Sequence, residues 1–168
     1  MINTDDLSVD AWCQAYPPIK ALHTGSRVIC NPAPVGTDND WLFLLTPEVL
    51  HNWEQALHGH GYWSLSGSGV MNQGNPADDL SPHLYQTDYN GQPYLNTDKL
   101  FHSWKTGDGL GYSYNFILTI CEDFFNNFVL ATAMAKRLNL LEKSDRITLF
   151  EGIVYDQWPL LHGALFGE

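Results

Sequence analysis

Asp38 and Asp40 stand two residues apart at the head of an apolar run, Trp41-Leu42-Phe43-Leu44-Leu45. Gly25-Ser26-Arg27 precedes them across a Pro-rich loop from Asn31 to Gly36. Side chains two apart on a strand share a face, so the two carboxylates are expected side by side, about 6 to 7 Å apart at the backbone. Like charges held that close repel unless a cation sits between them. Hard oxygen ligands suit Mg²⁺ (or Mn²⁺), which takes one or two protein carboxylates and completes its shell with substrate phosphates. The Gly25-Ser26 turn offers backbone N–H groups and a hydroxyl to a phosphate chain. The chemistry this set points to is phosphoryl or nucleotidyl transfer.

Several elements must hold these groups. Leu7, Ala11 and Trp12 space a short helix over residues 5–15, ended by Pro17-Pro18. Residues 19–23 read as a strand running into the Gly-Ser turn. Residues 40–45 read as a central strand, because apolarity that does not alternate implies cover on both faces. Thr46-Pro47-Glu48 is a helix start, with Thr as N-cap and Pro first, and Gly59 and Gly61 stop that helix. A third strand is expected over 62–66. The Gly-, Pro-, Asn- and Asp-rich stretch 67–97 reads as a long loop of the kind that carries function. Residues 100–105 and 112–120 read as further strands, separated by Thr106-Gly107-Asp108-Gly109. Residues 124–138 read as a helix with Phe124, Phe128, Ala131, Ala135 and Leu138 on one side. A last helix is expected over 144–155, N-capped by Ser144.

The order Gly-Ser, loop, Asp-x-Asp, apolar strand resembles the signature of the nucleotidyltransferase superfamily that includes DNA polymerase beta. The stretches Asn115-Phe116-Ile117-Leu118-Thr119, Lys136 to Asn139 and Asp145 to Phe150 resemble small single-domain bacteriophage members, and the similarity covers most of residues 17–156. The resemblance implies an α+β fold, a short mixed sheet with helices packed mainly on one side, in a single domain over 1–168. It also implies three carboxylates around two metal ions, two of them from Asp-x-Asp and one from a neighbouring strand. Asp38 and Asp40 match the first two. Asn115 stands where the third is expected, and an amide oxygen brings no negative charge and cannot act as a base. Glu122 and Asp123 follow the same strand about 20 Å further along, while Asp88, Asp98 and Asp108 lie in loops. By the same resemblance Gly25 and Ser26 hold phosphate. Arg27 pairs with phosphate bidentately, and Lys105 is a second phosphate contact.

Composition narrows the partners. The chain has 168 residues with 13% aromatics and six Trp, enough for one domain with a sizeable core. Nineteen acidic against eight basic residues give a net charge of -11, which disfavours long nucleic acid and favours a basic protein partner. Lys136, Arg137, Lys143 and Arg146 form the one visible basic cluster. It reads mainly as a solvated helix face or as dipole partners, with phosphate or base contact as the minority reading. Cys13, Cys30 and Cys121 lack Cys-x-x-Cys spacing and read as reduced thiols of a cytoplasmic protein, host cytoplasm if phage-encoded. No signal peptide or membrane span is expected. His51, His58 and His60 read as a solvated helix end rather than a zinc site. Tyr and Trp between 62 and 94 read as packing first and as nucleobase platforms second.

Two functions are expected from this pattern. One is an Mg²⁺-dependent enzyme moving a nucleoside monophosphate from an NTP to an unknown acceptor hydroxyl, with Asp38, Asp40 and Asn115 at its centre. The other is a catalytically degenerate relative that binds and regulates or inhibits a partner, extending to a phage factor acting against host defence.

Overall fold

The computed structural model describes residues 9–64, 85–87, 90–91, 93–95, 101–105 and 114–154. Helix α1 (Val9–Ala15) leads into strand β1 (Lys20–Thr24), a one-turn helix α2 (Ser26–Ile29) and strand β2 (Asn39–Leu44). Helix α3 (Pro47–Gly59) starts as its sequence dictates: Val49 N–H donates to Thr46 Oγ1 at 3.3 Å, and Pro47 occupies the first turn. Strands β3 (Trp63–Ser64), β4 (Tyr85–Thr87), β5 (Pro93–Leu95), β6 (His102–Lys105) and β7 (Tyr114–Thr119) follow. Helices α4 (Glu122–Leu138) and α5 (Lys143–Val154) come last among the described residues.

The main sheet runs β1-β2-β7-β6-β3. Its pair β2/β7 is parallel and its other pairs are antiparallel, so the sheet is mixed and the fold is α+β. The register carries the site. Asp40 lies opposite Thr24 on one side and Asn115 on the other, and Asn115 in turn lies opposite Lys105. Strand pairing therefore lines up Thr24, Asp40, Asn115 and Lys105 in one row, pointing to one face.

The helices are not gathered on one side, as expected from sequence, but cover both faces. Phe43, Phe116, Leu118 and Trp104 point to one face and pack with Trp12, Leu50, Trp53 and Leu57 of α1 and α3. Leu42 and Leu44 point to the other face and pack with Phe124, Phe125, Ala131 and Val154 of α4 and α5. The unbroken apolarity of β2 demands this, since a strand with no polar alternation has two faces to bury. Large rings fill the first layer, with Trp12 stacked on Trp53 at 5.3 Å and Tyr62 on Phe116 at 5.6 Å.

Three further expectations are corrected. The stretch 67–97 is not all loop, because β4 and β5 form an antiparallel pair within it. Ser144 is not the N-cap of α5 but sits in its first turn, where its carbonyl accepts from Thr148 Oγ1 at 3.0 Å. Leu138 is 59% exposed and does not join Phe124, Ala131 and Ala135 in the core. The turn 106–109 and the tail after Trp158 lie outside the described residues.

Candidate functional site

Gly25 ends β1 with φ +81°, a conformation that L side chains avoid. A Cβ there would lie 2.0 Å from Asp40 Oδ2, so the missing side chain lets the Asp40 carboxylate rest against the turn. Ser26 Oγ bonds Thr37 Oγ1. Arg27 Nη2 donates to the Thr37 carbonyl at 2.8 Å. These two bonds tie the start of α2 to the end of the Pro-rich loop and fix where Asp38 emerges. Thr24 is anchored to α4: Thr132 Oγ1 donates to the Phe128 carbonyl at 2.8 Å, and Thr24 Oγ1 lies 2.7 Å from that hydroxyl. Since Thr132 has spent its one proton on Phe128, Thr24 is the donor.

Asp40 is half-buried at the start of β2. Burial raises its carboxyl above the usual range of about 3.8, and Asp38 adds to the effect. A hydrogen bond from Asn115, and the charges of Lys105 and His23, work in the opposite direction. Ser103 Oγ donates to Asn115 Oδ1 at 2.7 Å, which turns the Asn115 amide nitrogen toward Asp40. The amide thus serves Asp40 as a donor, and its oxygen points toward β6. Asp38 precedes β2 rather than lying on it, and its Oδ2 sits 2.8 Å from Lys105 Nζ. Strands two apart in a sheet are separated by about 9.5 Å, so the Lys105 side chain reaches across Asn115 to meet Asp38. His23 stacks on Trp41 at 4.4 Å and bonds Asn39 Oδ1 at 2.6 Å, in the register that alternates with Thr24 and Asp40.

These residues open into a cavity of about 560 Å³, within the size range of small-molecule sites. Gly25, Ser26, Asp38, Asp40 and Asn115 line it, as sequence reasoning grouped them. Lys105 reaches it through Asp38. Arg27 does not line it and holds the loop instead. Glu122 and Asp123 fall in the exposed first turn of α4, beyond the far end of β7 from Asn115, and Glu122 pairs with Lys20 at 3.6 Å. Neither replaces the third carboxylate. Asp88, Asp98 and Asp108 lie outside the described residues.

Of the basic cluster, Lys143 and Arg146 line the cavity, whereas Lys136 and Arg137 do not. Arg146 Nη1 is committed to the Leu140 and Leu141 carbonyls, at 3.0 and 2.8 Å, and to Cys30 Sγ. Sequence reasoning missed Thr24, Thr37 and Ser103. Ser103 had a signal, since it lies two residues before Lys105 and so shares its face of the strand.

Among the described residues no group of three or more His, Cys, Asp or Glu could hold a metal by itself. The donor set does fit Mg²⁺ bound partly by substrate, because Asp38 and Asp40 supply two carboxylates at one cavity and phosphate oxygens can complete the shell. Among the described residues the histidines in α3 and at its C-cap form no such set: the C-cap His60 packs edge-on against Trp12 at 5.5 Å, and His58 is exposed. No helix among the described residues is long and apolar enough to cross a membrane. Cys13, Cys30 and Cys121 are free thiols. No family model, curated protein or solved structure matches the chain.

Proposed function

We propose that the cavity binds the triphosphate of an NTP and transfers its nucleoside monophosphate to an acceptor hydroxyl. The observation that carries this reading is the register Thr24–Asp40–Asn115–Lys105, which brings the Gly-Ser turn and both carboxylates to one cavity. Asp38 and Asp40 would hold Mg²⁺, which when bound supplies charge neutralisation at the phosphates. Gly25 and Ser26 face the phosphate chain, and Lys105 stands within reach of it from Asp38. The acceptor oxygen bonds to the α-phosphorus, the bond to pyrophosphate breaks, and the hydroxyl proton passes to water. Asn115 has no carboxylate to offer as a base, so rate enhancement rests on positioning and electrostatics.

A second reading follows from the same row. Asn115 gives Asp40 a neutral donor and Lys105 gives Asp38 a cation, which compensates both carboxylates from within the protein. That pattern suits a degenerate relative that binds nucleotide and acts on a partner protein, for which the net charge of -11 favours a basic surface.

One pair of variants separates the readings. Under the first, Asp40→Asn abolishes pyrophosphate release from NTP while the circular dichroism spectrum is kept. Unchanged turnover in that variant would sink the enzymatic reading. Asn115→Asp restores a third carboxylate: turnover rising from near zero assigns the chain to the degenerate class, and turnover lost from a measurable level shows that the amide belongs to a working mechanism.

A further inference from the structure

The cavity has two chemically different ends, and only one is explained by phosphate. At the first are Ser26, Asp38, Asp40 and Asn115. The second is built on α5, where Lys143, Arg146, Ile147 and Phe150 line the cavity at spacings i, i+3, i+4 and i+7. That spacing is one face of a helix, so the helix presents a continuous stripe to the cavity. Phe150 meets Phe128 of α4 at 4.9 Å, which roots the stripe in the core. Ile147 is nevertheless 47% exposed, and Val35 on the Pro-rich loop, which lines the same cavity, is fully exposed. Two uncovered branched apolar side chains at the mouth of a cavity are surface that a ligand can bury.

We propose that this end is a nucleobase site, with the ring of an NTP held against Ile147 and Val35 above the Phe128–Phe150 pair. The inference rests on the reading of the carboxylate end as a triphosphate site. A nucleoside triphosphate joins a polyanionic chain to a flat ring, and so matches both sets of lining residues in a single cavity of this size. Lys143 has no ion-pair partner among the described residues and lies one turn before Ile147, where a ribose or phosphate oxygen would meet it. Arg146 Nη1 is committed to the Leu140 and Leu141 carbonyls, which holds the guanidinium against the chain. Ring contact is tolerant of base identity, since every base has a π-face. The site therefore accepts all four bases within about tenfold of one another, a span of roughly 1.4 kcal/mol.

The test compares each NTP with inorganic tripolyphosphate by calorimetry in saturating Mg²⁺, using the wild-type chain and Ile147→Ser. Ile147 is exposed, so the substitution leaves the core intact, and its neutral side chain leaves the field at the phosphates unchanged. The expected result is NTP binding at least tenfold tighter than tripolyphosphate, with that advantage reduced at least threefold in Ile147→Ser and tripolyphosphate affinity unchanged. Equal affinity of NTP and tripolyphosphate in the wild type would overturn the base site, leave the phosphate site standing and give the apolar end to the acceptor. An NTP advantage untouched by Ile147→Ser would place the base elsewhere. Absence of binding by either ligand would remove both readings together.

Discussion

Gly25 and Asp40 touch: the space where a side chain at Gly25 would stand is filled by the Asp40 carboxylate, whose Oδ2 would lie 2.0 Å from a Cβ built there. Fifteen residues apart in sequence, the two are joined because β1 and β2 pair antiparallel, with Thr24 opposite Asp40. The turn and the acidic motif are therefore one structure, and neither is formed correctly without the other.

Gly25→Ala is expected to fail twice, once through φ +81° and once through displacement of Asp40. The backbone strain alone costs about 1–3 kcal/mol, and the displaced carboxylate adds to it. In a chain of this length a thermal melt should show a Tm lower by roughly 5 °C or more. NTP binding in Mg²⁺ should fall further than Tm does, because the displaced carboxylate is the proposed ligand. A variant with wild-type Tm would show that Gly25 is not held in this conformation.

Asp40 sets a pH dependence of stability. Burial, the largest cause, raises its folded-state pKa above the ordinary value. Between those two pKa values the folded state binds more protons than the unfolded state, so stability falls as pH rises through that window. Below the unfolded value the contribution is fully present, and above the folded value it is lost. Asp40→Asn should therefore raise Tm relative to wild type at pH 7, with a difference that shrinks by pH 4. Melts of both proteins across that range measure it, and parallel curves would contradict the burial argument.

Lys105 neutralises Asp38 at 2.8 Å, with both side chains about one-third exposed. A pair this exposed contributes little to stability, on the order of 0.5 kcal/mol, so Lys105→Gln should leave Tm nearly unchanged. Its effect should appear in binding. Mn²⁺ affinity without nucleotide should rise severalfold as Asp38 is freed, and tripolyphosphate affinity should drop about tenfold. Paramagnetic resonance of free Mn²⁺ reads the first and calorimetry the second. Unaltered Mn²⁺ binding would mean that Lys105 does not compete for Asp38.

On the other face of the sheet, Glu54 of α3 and His102 of β6 bond at 2.8 Å, each side chain 1% exposed. Among the described residues, Glu54 Oε2 and His102 Nε2 find no further partner. Removing one member of such a pair strands the other in the core at a cost of about 3–5 kcal/mol. Glu54→Ala should lower the urea midpoint accordingly. At low urea it should keep wild-type NTP affinity, because β6 and β7 present His102 and Asn115 to opposite faces. Weakened binding in folded protein would show that the two faces are coupled.

Local chemistry made much of this legible in the sequence. Thr46-Pro47 starts α3 because an N-cap and a proline need no tertiary partner. The apolar run after Asp40 marks a central strand for the same kind of reason. The grouping of Gly25, Ser26, Asp38 and Asp40, and the placing of Asn115 beside Asp40, could also be read before the fold was known. What tertiary structure alone decided is which atom each polar group meets. Arg27 went to the Thr37 carbonyl, Lys105 crossed a strand to Asp38, and Asn115 turned its amide nitrogen to Asp40 because Ser103 claimed the oxygen. The helical layer on the second face and the α5 stripe at the cavity likewise depend on α4 and α5 folding back over β2, a long-range packing choice. Spacing along a chain records local periodicity, whereas side-chain partners are chosen between strands and helices tens of residues apart, where register and reach decide.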